Sequence, residues 1–137
     1  GPTERNRVMY GPPGHAYVYF TYGMHYCLNV KTGPTGQAGA VLIRALQPAS
    51  GIDRMKKIRG TERIKDLTNG PAKLTQAFDV TRDLNGHDLT TGRRLFIADN
   101  ADPGKFEIAS SSRIGVRAGT DRLWRFFIRG NQFVSKQ

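Results

Sequence analysis

Apolar and polar positions alternate with period two over His15-Ala16-Tyr17-Val18-Tyr19-Phe20-Thr21, directly after the turn-forming Gly11-Pro12-Pro13-Gly14. β-branched and aromatic residues dominate this run, which predicts a strand. The alternation puts Ala16, Val18 and Phe20 on one face, suited to a core, and His15, Tyr17, Tyr19 and Thr21 on the other. The second set is aromatic with polar tips and suits a surface that touches something. A second strand-like run, Met24 to Val30, begins right after Tyr22-Gly23, and a Gly between two such runs marks a tight hairpin. Tyr22 and Met24 then sit at its tip. Large apolar groups at an exposed turn are costly unless they enter a partner or fold back onto their own domain, and the pattern leaves both open.

Farther along, Gly33 to Gly39 reads as a connecting loop; it lacks the Lys-Ser/Thr pair of a phosphate-cradling P-loop. Ala40 to Leu46 reads as a buried strand interrupted by Arg44. A cation inside an apolar strand needs a carboxylate or phosphate partner, so Arg44 is a candidate site residue, with a structural ion pair as the commoner explanation. Ser50 to about Arg59 carries helical signals: Ser50 as cap, Asp53 three residues on, and Ile52 and Met55 at helical spacing. Asn69-Gly70-Pro71 opens a second helix with Leu74, Ala77 and Phe78 along one face, and its free amides plus Lys73 suit a phosphate. The last third predicts strands at Arg94–Ala98, Phe106–Ala109 and Arg122–Arg129, with Trp124, Phe126 and Ile128 as core and a loop from Ser110 to Arg117. No repeat or low-complexity tract is visible. The expected architecture is α+β: one domain over residues 1–137 with a curved, mostly antiparallel sheet, a protruding hairpin and a few packed helices.

Composition sharpens the choice of partner. The 137 residues hold 14 Arg and 7 Lys against 11 acidic residues, a formal net charge of +10. An Arg-heavy surplus leans toward phosphates and nucleic acid, because guanidinium makes planar bidentate contacts; a basic surface tuned for solubility is the alternative. Arg54, Lys56, Lys57, Arg59, Arg63 and Lys65 form a short basic patch. Val8 to Val30 carries no formal charge, but its Pro, Gly, His, Tyr and Asn content rules out a lipid-facing span. One cysteine, Cys27, excludes an internal disulfide framework and a Cys-based zinc site. His15, His25 and His87 lack ligand spacing, and Asp83, His87 and Asp88 flank an ordinary turn, so no metal is expected. The three glutamates, Glu4, Glu62 and Glu107, offer no general base by spacing.

The string Arg5-Asn6-Arg7-Val8-Met9-Tyr10-Gly11-Pro12-Pro13-Gly14-His15-Ala16-Tyr17-Val18-Tyr19-Phe20-Thr21-Tyr22-Gly23-Met24 resembles the alkyladenine (3-methyladenine) DNA glycosylases, the animal-type enzymes that also occur in bacteria. The resemblance continues through Val41–Pro48, Asn69–Leu74, Arg113–Val116 and Phe127–Gly130, in order along the whole chain. It implies a monofunctional DNA repair enzyme that flips alkylated or deaminated purines out of duplex DNA and hydrolyses the N-glycosidic bond, starting base excision repair without a cofactor. It further implies a monomer acting in the bacterial cytosol or nucleoid. By the same resemblance Tyr22 is the intercalating wedge with Met24 beside it. Tyr19 stacks on the flipped base, where a cationic alkylated purine gains cation–π attraction, and Asn29 disfavours guanine. Arg44 lies beside the catalytic carboxylate and water, and the Ile114 backbone helps hold that water. Arg5, Tyr17, Lys73, Arg82 and Gly115 contact the DNA backbone, and Met9 packs near the site.

One departure matters. Family members carry a Glu-Thr-Glu-Ala-Tyr-type segment that supplies the general-base Glu, a second stacking Tyr and a nearby His, and no part of this chain matches it. The chain opens on Gly1-Pro2 without an initiator Met, as a processed product or a piece of something longer would, and the missing family segment implies the C-terminal two-thirds of a longer enzyme. A non-catalytic damaged-DNA-binding module is the alternative for these residues alone, and an unrelated basic RNA-binding domain is a third.

Overall fold

The computed structural model describes residues 1–21 and 23–135. Two compact units divide the chain, Gly1–Asp99 and Asn100–Gln137. Both mix β structure with turns, and the first also holds the helices, which gives the α+β class expected.

The first unit is built on a three-stranded antiparallel sheet. Strands β1 (Ala16–Thr21) and β2 (His25–Lys31) form the hairpin, and β3 (Ala40–Leu42) pairs with β2, in the order β1-β2-β3. Opposite pairs run from Ala16 with Val30 to Thr21 with His25. This register puts Ala16, Val18, Leu28 and Val30 on one face, where they meet Leu74, Val80, Leu84 and Leu89 in the main core. Phe20 belongs to the same face but sits near the hairpin end, partly exposed, with its ring 4.9 Å from its cross-strand partner Tyr26.

β3 is shorter than the Ala40–Leu46 run. The Ile43 amide still bonds to the Leu28 carbonyl at 3.0 Å, but Leu46 is taken over by Thr68, whose carbonyl and hydroxyl meet the Leu46 amide and carbonyl at 2.9 and 2.6 Å. With its backbone groups met there, the segment has no call for a strand partner. The free edge of β1 is closed by a turn. The Asn85 side chain accepts from the Val18 amide at 2.9 Å, and Gly86 and His87 bond Ala16. An edge left open would invite pairing with other chains.

Helix α1 (Ile52–Arg59) starts one residue later than the cap reading implied: Gly51, left-handed at φ 69°, is the N-cap, and Ser50 is not the capping residue. Asp53 in its first turn and Lys56, Lys57 and Arg59 in its last suit the helix dipole. Met55 and Ile52 pack with Leu67 and Ala77 in a second small cluster. Arg59 is structural rather than part of an open basic patch. It donates to the carbonyls of Leu67 and Asp66 at 3.2 Å each and to the Gln76 amide oxygen at 2.6 Å. Lys56 and Arg63 pair with Glu62 and Asp66. Helix α2 (Pro71–Ala77) has Pro71 in its first turn and buries Leu74 and Ala77, while Phe78 is half exposed beyond its end.

Residues 94–98 form no strand. Arg94 is left-handed at φ 62°, and His87 Nε2 donates to the carbonyls of Arg93 and Leu95 at 2.8 and 2.9 Å, so the backbone there is fixed in a turn. Asp83 and Asp88 likewise serve turns, accepting from Thr81 and Arg94 and from Thr90, respectively.

The second unit holds β4 (Ile108–Ser111) and β5 (Arg125–Ile128), an antiparallel pair. β5 is shorter than the Arg122–Arg129 run, while β4 is as long as expected but lies two residues later than Phe106–Ala109, taking Ser110 and Ser111 from the expected loop. The expected core row is outward instead: Trp124 is 54% and Phe126 69% exposed, while Ala109, Arg125 and Phe133 are buried. Two strands can bury one face, and in this unit the buried one carries Arg125, bonded to the Ser111 hydroxyl at 3.1 Å and stacked over Phe127 at 4.5 Å.

Candidate functional site

The second face of the three-stranded sheet carries Tyr17, Tyr19, Cys27 and Asn29. In the hairpin register Tyr17 faces Asn29 and Tyr19 faces Cys27, and Asn29 in turn faces Leu42 on β3. The Ile43–Leu28 bond extends that register, so the next residue, Arg44, falls beside Cys27. Two rows therefore cross the sheet: Tyr17-Asn29-Leu42 and Tyr19-Cys27-Arg44. The rings of Tyr17 and Tyr19 lie 5.3 Å apart at 40°, and Asn29 Nδ2 donates to the Tyr17 carbonyl at 3.3 Å.

The N-terminal residues lie over this face. Thr3 and Asn6 bond each other, the Thr3 amide donating to Asn6 Oδ1 at 2.6 Å, and a 3-10 turn follows over Arg7–Tyr10. Between them and the sheet is an open cavity of about 460 Å³, lined by Thr3, Arg5, Asn6, Met9, Tyr17, Tyr19, Asn29 and Ala40. That volume lies within the range of small-molecule sites, roughly 300–1,000 Å³. Its walls offer an aromatic face, two carboxamides and one guanidinium.

The local electrostatics are set by burial. Desolvation pushes the Tyr19 phenol up, helped by Cys27 and Tyr17 and opposed by Arg5. Desolvation likewise raises the Cys27 thiol, opposed by its hydrogen bond with Tyr19 and by the charge of Arg44. Both groups are neutral at pH 7, so the charges felt at this row are the cations Arg5 and Arg44. Among the described residues no acidic one lines the cavity. The three glutamates are each engaged elsewhere, at exposed ion pairs of Glu4 with Arg7, Glu62 with Lys56 and Glu107 with Arg129. Arg44 itself is half-buried, and no ion pair with a described carboxylate accounts for it.

The structure thus gathers Arg5, Tyr17, Tyr19, Asn29 and Arg44 on one face. Met9, assigned to packing, is part of the cavity wall. Met24 is at the hairpin tip and 71% exposed, while Tyr22 lies outside the described residues. Lys73 stands elsewhere, on α2, with its ammonium on Asn69 Oδ1 at 3.0 Å; the seven-residue helix packs on the core side of the sheet. Arg82 is exposed in the 3-10 turn Arg82–Leu84, and Ile114 and Gly115 belong to the second unit, in the loop after β4. The sequence reading missed Cys27, Thr3 and Asn6. Period two counted back from Asn29 would have found Cys27; nothing local marks the other two.

Comparison with known proteins shows the family. The sequence profile of the methylpurine-DNA glycosylases matches residues 1–132. A protein of Carboxydothermus hydrogenoformans named "Putative 3-methyladenine DNA glycosylase" is 54% identical over the full chain, which spans 72% of that protein's length. Proteins of the same name from Chlorobium phaeobacteroides and Burkholderia lata are 50% and 47% identical over 98% of the chain, which spans 67% and 66% of their lengths. With nearly every residue matched in order, the chain belongs to the methylpurine-DNA glycosylase family.

Proposed function

We propose that these residues bind duplex DNA bearing an alkylated or deaminated purine and hold the flipped base against Tyr19, as the base-binding part of a monofunctional 3-methyladenine DNA glycosylase. The observation that carries this reading is the grouping of Tyr17, Tyr19 and Asn29 along one cavity, with cations Arg5 and Arg44 at the same face. A flat purine stacks on Tyr19, and stacking on an aromatic side chain is worth about 1–3 kcal/mol per base. Extruding the base costs a few kcal/mol, least for a damaged one, so the lesion contributes to its own selection. A cationic purine is drawn further by the ring face and leaves more easily from C1′.

Asn29, pinned by its bond to Tyr17, is rigid enough to crowd the exocyclic amine of guanine. Arg44 stabilises the charge around the attacking water; the water-holding role of the Ile114 backbone rests on sequence resemblance alone. Arg5, Tyr17, Lys73, Arg82 and Gly115 position the DNA backbone. Exposed Met24 is an apolar group of the kind that enters the minor groove; the wedge role of Tyr22 rests on sequence resemblance alone. The working form is a monomer in the bacterial cytosol or nucleoid.

A second reading is favoured by one observation: among the described residues no carboxylate lines the cavity, so these residues alone recognise damage without cleaving. Single-turnover assays on a duplex carrying one hypoxanthine separate the two. Base release by the 137-residue chain supports catalysis within it; tight lesion binding without release supports recognition only. Equal affinity for damaged and undamaged duplex sinks both.

A further inference from the structure

The loop that follows β4 is organised around one side chain. Arg113 Nη2 donates to the Ala118 carbonyl at 3.1 Å, and its guanidinium carbon lies 5.1 Å from the Trp124 ring centroid. Arg122 stacks on the same indole at 4.7 Å. Gly119, left-handed at φ +72°, leaves the space this needs: a Cβ there would stand 2.6 Å from Arg113 Nη2. Arg113 Nε is buried and has no hydrogen-bond partner among the described residues. An unsatisfied buried donor is unfavourable, and proteins keep one where the placement of the side chain serves another end.

A guanidinium meant for a phosphate presents its edge to solvent. Here one edge closes the loop on itself, and the face rests on the indole. We infer that Arg113 is a positioning residue, clamping the 113–119 loop against Trp124 so that the backbone of Ile114 and Gly115 meets damaged DNA in one conformation. This rests on the reading above, which gives Ile114 and Gly115 their contacts with water and DNA. Gly115 is left-handed at φ +74°, so without a clamp the loop has many conformations open to it and ordering it on binding lowers affinity.

The test compares Arg113→Met, which removes the charge and the clamp, with Gly119→Ala, which keeps the charge but evicts the guanidinium. Affinity for a hypoxanthine-bearing duplex is measured by fluorescence anisotropy across a salt series. A positioning role makes both single variants about fivefold weaker. The double variant is then no worse than either, and the salt slope stays unchanged. A direct phosphate contact instead gives a loss in Arg113→Met alone, with the slope lower by about one unit, and overturns the inference. Trp124 is the one tryptophan in the sequence, so acrylamide quenching of its emission reads the clamp without DNA. Steeper quenching in both variants is expected, and quenching identical to the parent chain overturns the clamp. Failure of the parent chain to prefer damaged duplex defeats the functional reading and the positioning role with it, while quenching still decides the clamp.

Discussion

Lys31 ends β2 with 1% of its surface exposed. Its ammonium donates to three successive carbonyls, Thr32 at 2.5 Å, Gly33 at 3.0 Å and Pro34 at 3.2 Å, and none of the described carboxylates pairs with it. Lys31→Met keeps the apolar stem and removes the charge. Three hydrogen bonds from a charged donor are worth about 1.5–3 kcal/mol each, roughly 5–9 in sum. Against that stands the relief of a buried ammonium's desolvation, several kcal/mol. The released carbonyls belong to exposed residues and regain water, which softens the loss. The balance is a destabilisation of about 2–3 kcal/mol, and at roughly 3–5 °C per kcal/mol for a chain of this size Tm falls by about 10 °C. Circular dichroism melting measures it, and limited proteolysis should show faster cutting near residues 32–37. An unchanged or raised Tm with equal loop protection would refute the argument, because burial of the charge would then outweigh its three bonds.

Replacing Tyr19 by Leu removes the stacking face, so affinity for lesion duplex should drop by about 5- to 150-fold while undamaged duplex is bound as before; an equal drop on both means Tyr19 does not hold the base. Cys27, its thiol pushed up by burial, should react with a disulfide reagent at pH 8 at least about tenfold more slowly than in the denatured chain; equal rates would show an open thiol. Asp83 is held below the ordinary carboxylate range by the Thr81 hydroxyl and then by Arg94. The folded state therefore favours its ionised form, and the stabilisation is present above the ordinary carboxylate pKa and lost as pH falls through the lowered value. Asp83→Asn should lower Tm at pH 7 and converge with the parent near pH 2, and parallel Tm curves from pH 2 to 7 would contradict this.

The hairpin was readable because its information is local. Period-two alternation over Ala16–Thr21 and the Gly23 turn assign a face to every residue in between, and that assignment fixes Tyr17, Tyr19 and Asn29 on one side. The same local logic misplaced Trp124, Phe126 and Ile128. An alternating row says which residues share a face, but only the packing partner says which face is buried, and in the β4–β5 pair the buried side is the one with Ala109 and Arg125. Residues 94–98 failed as a strand for a related reason: His87 bonds their backbone from outside the segment, and no propensity scale contains that bond.

The sequence by itself determined the family, the hairpin and the residues of its aromatic face, since these depend on residue order and on a strand's fixed repeat. Tertiary structure alone decided that Thr3 and Asn6 enclose that face, that Arg59 and Lys73 are tied into the fold, and that Lys31 is buried among carbonyls. Those outcomes depend on which distant groups compete for each donor and acceptor, and that competition is settled only when the chain is packed.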